Sequence, residues 1–485
     1  MFRFERCSGA MSRRQFLQGG LALGGSLALG GSAALAQIIR DKGPFTSLKL
    51  TAKPMSFSIL PGAPTNTWSY EGFIKGGPAL PRAGYLGPIL RLPQGSYLSV
   101  DFLNALPEDT TVHWHGLDVP AIMDGHPMMA VQPGGRYNYA YRILNRAGTY
   151  WFHPHPHMRT GYQVCQGLAG VLIVTDPEEQ ALTLPRGDRD LIFILQDRNF
   201  DSNNQIVYTI GPATGYLGNR MVVNGQVDAI QEVVTGVYRI RLLNGSNARM
   251  YKLEWSTGDQ MVIIGCDHGL LRAPETKPYV MLAPAERVEL WVDFRSASVG
   301  STIKLRNTMT VGGTDLLEFR VTASVNDPIQ LPQTLSQFPT YQLSQAANVD
   351  NPRVITVSRV GTEWRLNDRT FDMNSVEPYE VTRRGQLEVW EFRNDVGSNL
   401  IPHPMHLHGS PFQVVERTIS SYQSSYNLVR EGFIDSGWKD TFILMPGERV
   451  KILTKPQTYT GRFIYHCHNL EHEDMGMMRN YDIIP

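Results

Sequence analysis

The stretch GQLEVWEFRN, Gly385–Asn394, puts a glycine, a run of strand-type residues and an asparagine in a fixed order, and that order recurs. GSYLSVDFLN ends at Asn104 and GVYRIRLLN ends at Asn244. Each copy has a second half, a Pro-x-x-Arg turn running into a strand: PGGRYNYAY from Pro133, PAERVELWV from Pro284 and PGERVKILT from Pro446. Short β-type runs bounded by turn residues read as strands. A two-part order repeated three times implies three β units of one build.

Length and composition agree with that reading. A chain of 485 residues exceeds what one hydrophobic core organises, and 45 glycines and 31 prolines between short Val/Ile/Tyr/Phe runs point to all-β sandwiches or barrels. Polar stretches divide the chain: DPEEQALTLPRGD from Asp176, and LPQTLSQFPTYQLSQAANVDNP from Leu331. The expected units are residues 44–180, 186–345 and 351–485. The 45 basic residues balance 45 acidic ones, and no block of like charge stands out. Nucleic acid is therefore not an expected partner, and neither a polybasic membrane patch nor an acidic tail is present.

Residues 1–36 read as an address. SRRQFLQGG, Ser12–Gly20, sets Arg13 and Arg14 before a glycine-rich apolar stretch that ends in the A-x-A pattern Ala34-Leu35-Ala36. This looks like a twin-arginine export signal, with either Met1 or Met11 as the start and a mature protein beginning near Gln37. The expectation is a periplasmic or secreted protein handled by the twin-arginine export machinery. No other run is long enough for stable membrane insertion. Cys7 falls in the signal, leaving Cys165, Cys266 and Cys467, an odd number for an oxidising compartment. Cys165 and Cys266 lie in apolar runs and read as small buried residues.

Cys467 sits among metal-ligand residues. Four histidine clusters occur: HWHG (His113, His115), WFHPHPH (His153, His155, His157), HPMHLHG (His403, His406, His408) and HCHNLEH (His466, His468, His472). Spacing ties them to the repeat. His113 and His403 each follow their asparagine by nine residues, and His153 and His466 each follow their proline by twenty. In the middle copy the same offsets land on Leu253 and Lys304, so that copy reads as a spacer fixing the geometry of the other two. On a strand the two histidines of H-x-H share a face. In HCH, His466 and His468 then face one site and Cys467 faces another. Cys467 with His403, His472 and a methionine after them makes a thiolate, two imidazoles and a thioether, the ligand list of a blue-copper site. The eight remaining paired histidines, four from each outer unit, line a second site between those units.

With these motifs the chain resembles the three-domain multicopper oxidases of bacterial laccase type, near the cuprous oxidase, spore-coat laccase and bilirubin oxidase branches. The likeness runs from about Pro44 to Pro485, with all four motifs in order. It implies three consecutive cupredoxin-like Greek-key domains and four copper ions. By position, His403, Cys467, His472 and Met477 would bind the type 1 copper, and His113 and His406 the type 2 copper. His115, His153, His155, His408, His466 and His468 would bind the type 3 pair. Spacing alone leaves Met475, Met477 and Met478 open as axial ligand; the family spacing selects Met477. Asp124 and Glu473 match cluster-side carboxylates that deliver protons or merely hold hydrogen bonds. Asp440 takes a supporting place, while His157, His126 and His268 read as neighbours rather than ligands.

The implied reaction is one-electron oxidation of a donor coupled to four-electron reduction of dioxygen to water. Laccase-type donors are phenols and aromatic amines, oxidised at an open cleft beside His403 or His472. A methionine axial ligand, with its low to middling potential, favours easily oxidised donors. The alternatives are a periplasmic metallo-oxidase of cuprous, ferrous or manganous ion in copper tolerance, and a bilirubin oxidase. Against the metal-ion reading, no Met- and His-rich insert lies between Asn351 and His403, and Asn399 stands where a carboxylate is expected. For it, Met128 and Met129 offer soft contacts. A copper-free scaffold of this fold would have lost ligands, and none is missing here.

Overall fold

The computed structural model describes residues 44–211, 213–395, 397 and 401–485. The export signal with Cys7, and the position of Asn399, lie outside the described residues. Among the described residues no helix is long and apolar enough to cross a membrane.

Apart from a two-stranded ribbon of Ile210–Gly211 with Gly215–Tyr216, the strands gather into three successive pairs of sheets. The first pair has four and three strands and buries Leu50, Val100 and Tyr139 against Leu90, Phe152 and Leu172. The middle pair has seven and five strands, with Leu195, Ile240 and Leu290 facing Leu253, Leu305 and Phe319. The last has five and five, with Ile355, Trp390 and Ile452 facing Met405, Phe463 and Tyr481. Alternation explains the layers: in Tyr97–Asn104 half-buried and buried residues alternate one by one. Each fully buried Leu, Val or Phe contributes about 1.5–3 kcal/mol, which is what holds a sheet pair closed.

The units also pack on each other. Trp151, Val171 and Ile173 of the first meet Ile194, Leu243 and Ala285 of the middle one, and Met281 and Ala283 meet Phe433 and Ile443 of the last. The middle repeat strand Val237–Asn244 is consequently buried at every residue, its two arginines included. Arg239 pairs with Glu289 and Glu179, and Arg241 with Glu289 and Asp190, so no charge is left alone there.

The repeat is exact in register. The residue before each asparagine pairs with the arginine of Pro-x-x-Arg, as Leu103 with Arg136 and Leu243 with Arg287, or in the last copy Arg393 with Arg449. The asparagine amide then ties one nearby and one distant carbonyl: Glu108 and Val131 for Asn104, Arg249 and Leu282 for Asn244, Ile401 and Met445 for Asn394. The second turn residue takes φ near +74° in all three copies, at Gly134, Ala285 and Gly447. Glycine suits that conformation; Ala285 holds it at a cost of about 1–2 kcal/mol.

One spacing argument is corrected by the structure. The antiparallel contact of His113 with His153 has its counterpart in His406 with His466, not in His403 with His466. The partner of His113 in the last unit is therefore His406, twelve residues after Asn394 rather than nine. The connecting loop is three residues longer, and the asparagine amide shows it: Asn104 reaches the carbonyl four residues on, Asn394 the one seven residues on. His403 is an extra residue that the first unit lacks.

The outer units are also joined by a short hydrogen bond from Thr458 Oγ1 to Asp118 Oδ2 at 2.5 Å. Burial pushes the Asp118 carboxyl up to about 6, and the Thr458 bond only partly offsets this. A carboxyl raised in the folded state favours folding while it is protonated. Its contribution is fully present below the unfolded value near 3.8 and fades as pH rises through about 6. Asp118→Asn should therefore remove that fading, worth up to ~3 kcal/mol, and raise the thermal midpoint above pH 6 relative to the parent. Melting curves of both proteins from pH 4 to 8 check it, and parallel curves would contradict it.

Candidate metal centre

Strand Gly461–Cys467 runs HCH out of its end, and alternation separates the three side chains as the sequence requires. His466 Nε2 lies 3.1 Å from His408 Nε2 and 3.3 Å from His155 Nε2; His468 Nε2 lies 3.4 Å from His153 Nε2. Cys467 Sγ lies on the other side, 3.5 Å from His403 Nδ1 and 3.6 Å from His472 Nδ1. Two separate donor sets thus share one tripeptide. The ladder also discriminates among the methionines. Met478 stands opposite His466, and Cys467 N–H donates to the Met477 carbonyl at 3.1 Å. Cross-strand neighbours share a face, which puts the fully buried Met477 on the Cys467 side and Met478 on the histidine side. Met475 packs at the edge of the third core.

The larger set contains His113, His115, His153 and His155 from the first unit and His406, His408, His466 and His468 from the last, all buried. Ligand atoms of His113, His406 and His408 lie within 4.8 Å of one another, as do those of His113, His115 and His153 and those of His155, His408 and His466. Two aspartates hold the rings by the same device. The Asp124 carbonyl accepts from His113 Nδ1 at 2.7 Å while its carboxylate takes His408 Nδ1 at 2.7 Å. The Asp440 carbonyl accepts from His406 Nδ1 at 2.7 Å while its carboxylate takes His115 Nε2 at 3.0 Å. Each aspartate holds one histidine of its own unit and one of the other, fixing tautomers across the interface. Asp440, which the sequence places only in support, therefore matches Asp124.

Glu473 Oε1 accepts from Thr160 Oγ1 at 2.7 Å and lies 3.3 Å from His155 Nδ1; its Oε2 lies 3.2 Å from His466 Nδ1. Neither of these imidazole approaches is aligned as a hydrogen bond, and Oε2 has no hydrogen-bond partner. The other doubtful histidines separate. His157 is exposed against Phe371 and belongs to none of the donor groups found among the described residues. His126 caps a turn, accepting from Met128 N and meeting Asn480. His268, from the middle unit, lies 3.0 Å from the Asp440 carboxylate. A cavity of about 10 Å³, room for one water, opens between His113, His408, Asp118, Asp124, His268 and Asp440.

The residues fit metal ions. His113 Nε2, His115 Nδ1 and His406 Nε2 are buried with no hydrogen-bond partner, each opposite the nitrogen that an aspartate fixes. Buried polar atoms are normally satisfied. Burial first, and the neighbouring imidazoles second, hold His115, His153, His155, His408 and His468 well below the usual histidine range. Neutral imidazole is the form that ligates. Burial likewise holds His472 down at about 3 and pushes the Cys467 thiol up, so a bound cation is what turns that thiol into a thiolate.

Sequence reasoning missed the braces. Arg287, the arginine of the middle Pro-x-x-Arg turn, forks onto Asp440 at 2.7 and 2.5 Å. Its copies Arg136 and Arg449 are exposed guanidinium groups that pair with Asp101 and Asp395, and nothing in the motif separates the three. Asn247 donates to Glu471 Oε1 and to the Gly161 carbonyl, tying the helices Leu470–Asp474 and Thr160–Gln166 together. Trp364 stacks on His472. Among the described residues the expected cleft does not open either ring: His403 and His472 are each 1% exposed, with Trp364 against both and the Ala213 carbonyl on His472.

Two stretches, residues 82–179 and 341–485, match family models described as multicopper oxidase. The chain is 30% identical over 473 residues to a laccase of Bacillus subtilis, covering 87% of this chain and 90% of that protein. It is 35% identical over 404 residues to a laccase of Haloferax volcanii, covering 77% of this chain and 67% of that one. Among solved structures it superposes on a multicopper oxidase of the hyperthermophile Aquifex aeolicus with a TM-score of 0.79 at 35% identity, over 92% of this chain and 97% of the other.

Proposed function

The chain belongs to the multicopper oxidase family, oxidoreductases with oxygen as acceptor, and from that premise we propose a laccase-like enzyme whose donors are phenols and aromatic amines. The observation that carries the reading is the complete pair of donor sets joined by one tripeptide. We assign four coppers: type 1 to His403, Cys467, His472 and Met477; type 2 to His113 and His406; type 3 to His115, His153, His155, His408, His466 and His468. Copper bound there supplies one-electron acceptance at the Cys467 site and reduction of dioxygen to water at the eight-histidine site.

The residues themselves do the rest. Cys467 provides the path between the sites: its backbone leads directly to His466 and His468, and His466 Nδ1 returns to the Cys467 carbonyl at 3.0 Å, a second connection beside the covalent one. Asp124 and Asp440 hold four imidazoles in ligating tautomers. Glu473 is the proton-delivering group, with Oε2 buried, lacking a hydrogen-bond partner and 3.2 Å from His466 Nδ1, and Asp124 serves the same purpose from the water-sized cavity. The unit boundaries 44–180, 186–345 and 351–485 follow the two linkers, and the Arg13-Arg14 signal supports export through the twin-arginine route to the periplasm or beyond.

A metal-ion donor is the second reading, favoured by the covered rings of His403 and His472, since a small cation needs no cleft. Reconstitution with Cu(II) tests the core of the proposal: about four coppers per chain and an intense blue band are expected, and clearly fewer coppers without blue colour would refute it. Parallel oxygen uptake with a dimethoxyphenol and with Cu(I) decides the donor; the phenol is expected to be the faster.

A further inference from the structure

The type 1 ligands are roofed by one aromatic residue. The Trp364 ring stacks on His472 with centroids 4.2 Å apart and 33° between planes, and meets His403 edge-on at 4.9 Å. It comes from the strand Glu363–Leu366, hydrogen-bonded to the Met475 carbonyl through its backbone N–H, so its placement is fixed by the same loop that follows His472. Its own exposure is 3%, and Arg359 from the adjoining strand lies over the indole at 5.2 Å. The outward nitrogen of His472 is engaged by the Ala213 carbonyl at 2.9 Å. Neither imidazole is therefore open to a donor, and the indole is the aromatic ring by which the hairpin touches both.

We propose that Trp364 is the residue through which electrons reach the Cys467 site: a donor settles on the Arg353–Leu366 hairpin, and its electron crosses the indole to His472. The inference rests on the oxidase reading above. The donor loses one electron, with the hydroxyl proton of a phenol passing to solvent; the loaded site gains that electron, and Trp364 is unchanged at the end. The indole Nε1 has no hydrogen-bond partner, so no polar requirement explains why tryptophan rather than leucine or phenylalanine fills this buried position.

The test uses copper-loaded Trp364→Leu and Trp364→Phe, with ferrocyanide as an outer-sphere donor. Anaerobic stopped-flow follows bleaching of the blue band, spectroelectrochemistry gives the type 1 potential, and re-oxidation by dioxygen is timed from the reduced state. The proposal expects band and potential to stay with the parent, re-oxidation to be unchanged, and bleaching to slow about tenfold or more in the leucine variant, with phenylalanine between. Bleaching at the parental rate or faster would overturn it, the indole then being no path or only a shield. A band or potential that moves in step with the rate in both variants would also overturn it, in favour of Trp364 merely setting the His472 geometry. Parent protein that takes up copper without turning blue would instead sink the oxidase reading itself.

Discussion

Cys467→Ser gives a colourless protein that no longer oxidises donors, while its fold and its eight-histidine site persist. Serine is nearly isosteric, and Cys467 is fully buried in the third core, so the substitution leaves packing almost unchanged. What it removes is the thiolate of the smaller set, leaving the Met477 thioether as its remaining sulfur donor, and the sulfur end of the path to His466 and His468. A serine hydroxyl is a hard, weakly acidic donor and does not replace a thiolate toward copper. Copper analysis, absorption and oxygen uptake on the reconstituted variant check the expectation: less bound copper than the parent, no blue band, and uptake at background with any donor. Retained donor oxidation would overturn the assigned electron path, whatever the copper content.

How far the sequence alone reached depends on the kind of contact involved. Gly385–Asn394 and its two copies were enough for three β units, because strand period and turn residues are local properties. The H-x-H pairs and HCH were enough for two donor sets, because alternation along a strand needs no partner to be known. Offsets within the repeat were less reliable. His403 matched His113 at nine residues only because a three-residue extension of the loop after Asn394 brought an extra histidine to that offset. Contacts between units were not legible at all. Arg287, Arg136 and Arg449 read alike, yet one is a buried fork and two are exposed. Trp364 likewise gives no sign: His403, the nearest ligand in sequence, is 39 residues away, yet the indole touches His403 edge-on and lies over His472 in space. Which side of a strand another unit will cover is a tertiary property that a local pattern does not contain.

Arg287→Met should separate the two metal sites in the opposite sense to Cys467→Ser. All five guanidinium donors are used: Nε on the Thr149 carbonyl, Nη1 on the Ala285 carbonyl and Asp440, Nη2 on the Asp267 carbonyl and Asp440. Burial alone would push the Asp440 carboxyl up, but Arg287 first and His115 second outweigh it and hold it well below the usual carboxylate range. Methionine leaves that carboxylate buried without its main counter-charge, a loss of about 3–5 kcal/mol in unfolding free energy. Lysine is not expected to rescue it, since a point charge cannot replace a planar fork with five fixed donors. Arg287→Met with Asp440→Asn should regain more than half of the lost stability, because the stranded charge is then gone, and denaturant curves of the four proteins measure the coupling. Asp440 also orients His115 and His406, so copper affinity at the eight-histidine site should fall roughly 10–100-fold in the single variant. The Cys467 set makes no contact with Arg287, and its blue band should survive under copper excess while dioxygen consumption fails. A variant that stays blue, accepts electrons once and cannot pass them on to oxygen would place the function of the middle unit, whose one histidine, His268, belongs to neither donor set, in that single buried arginine.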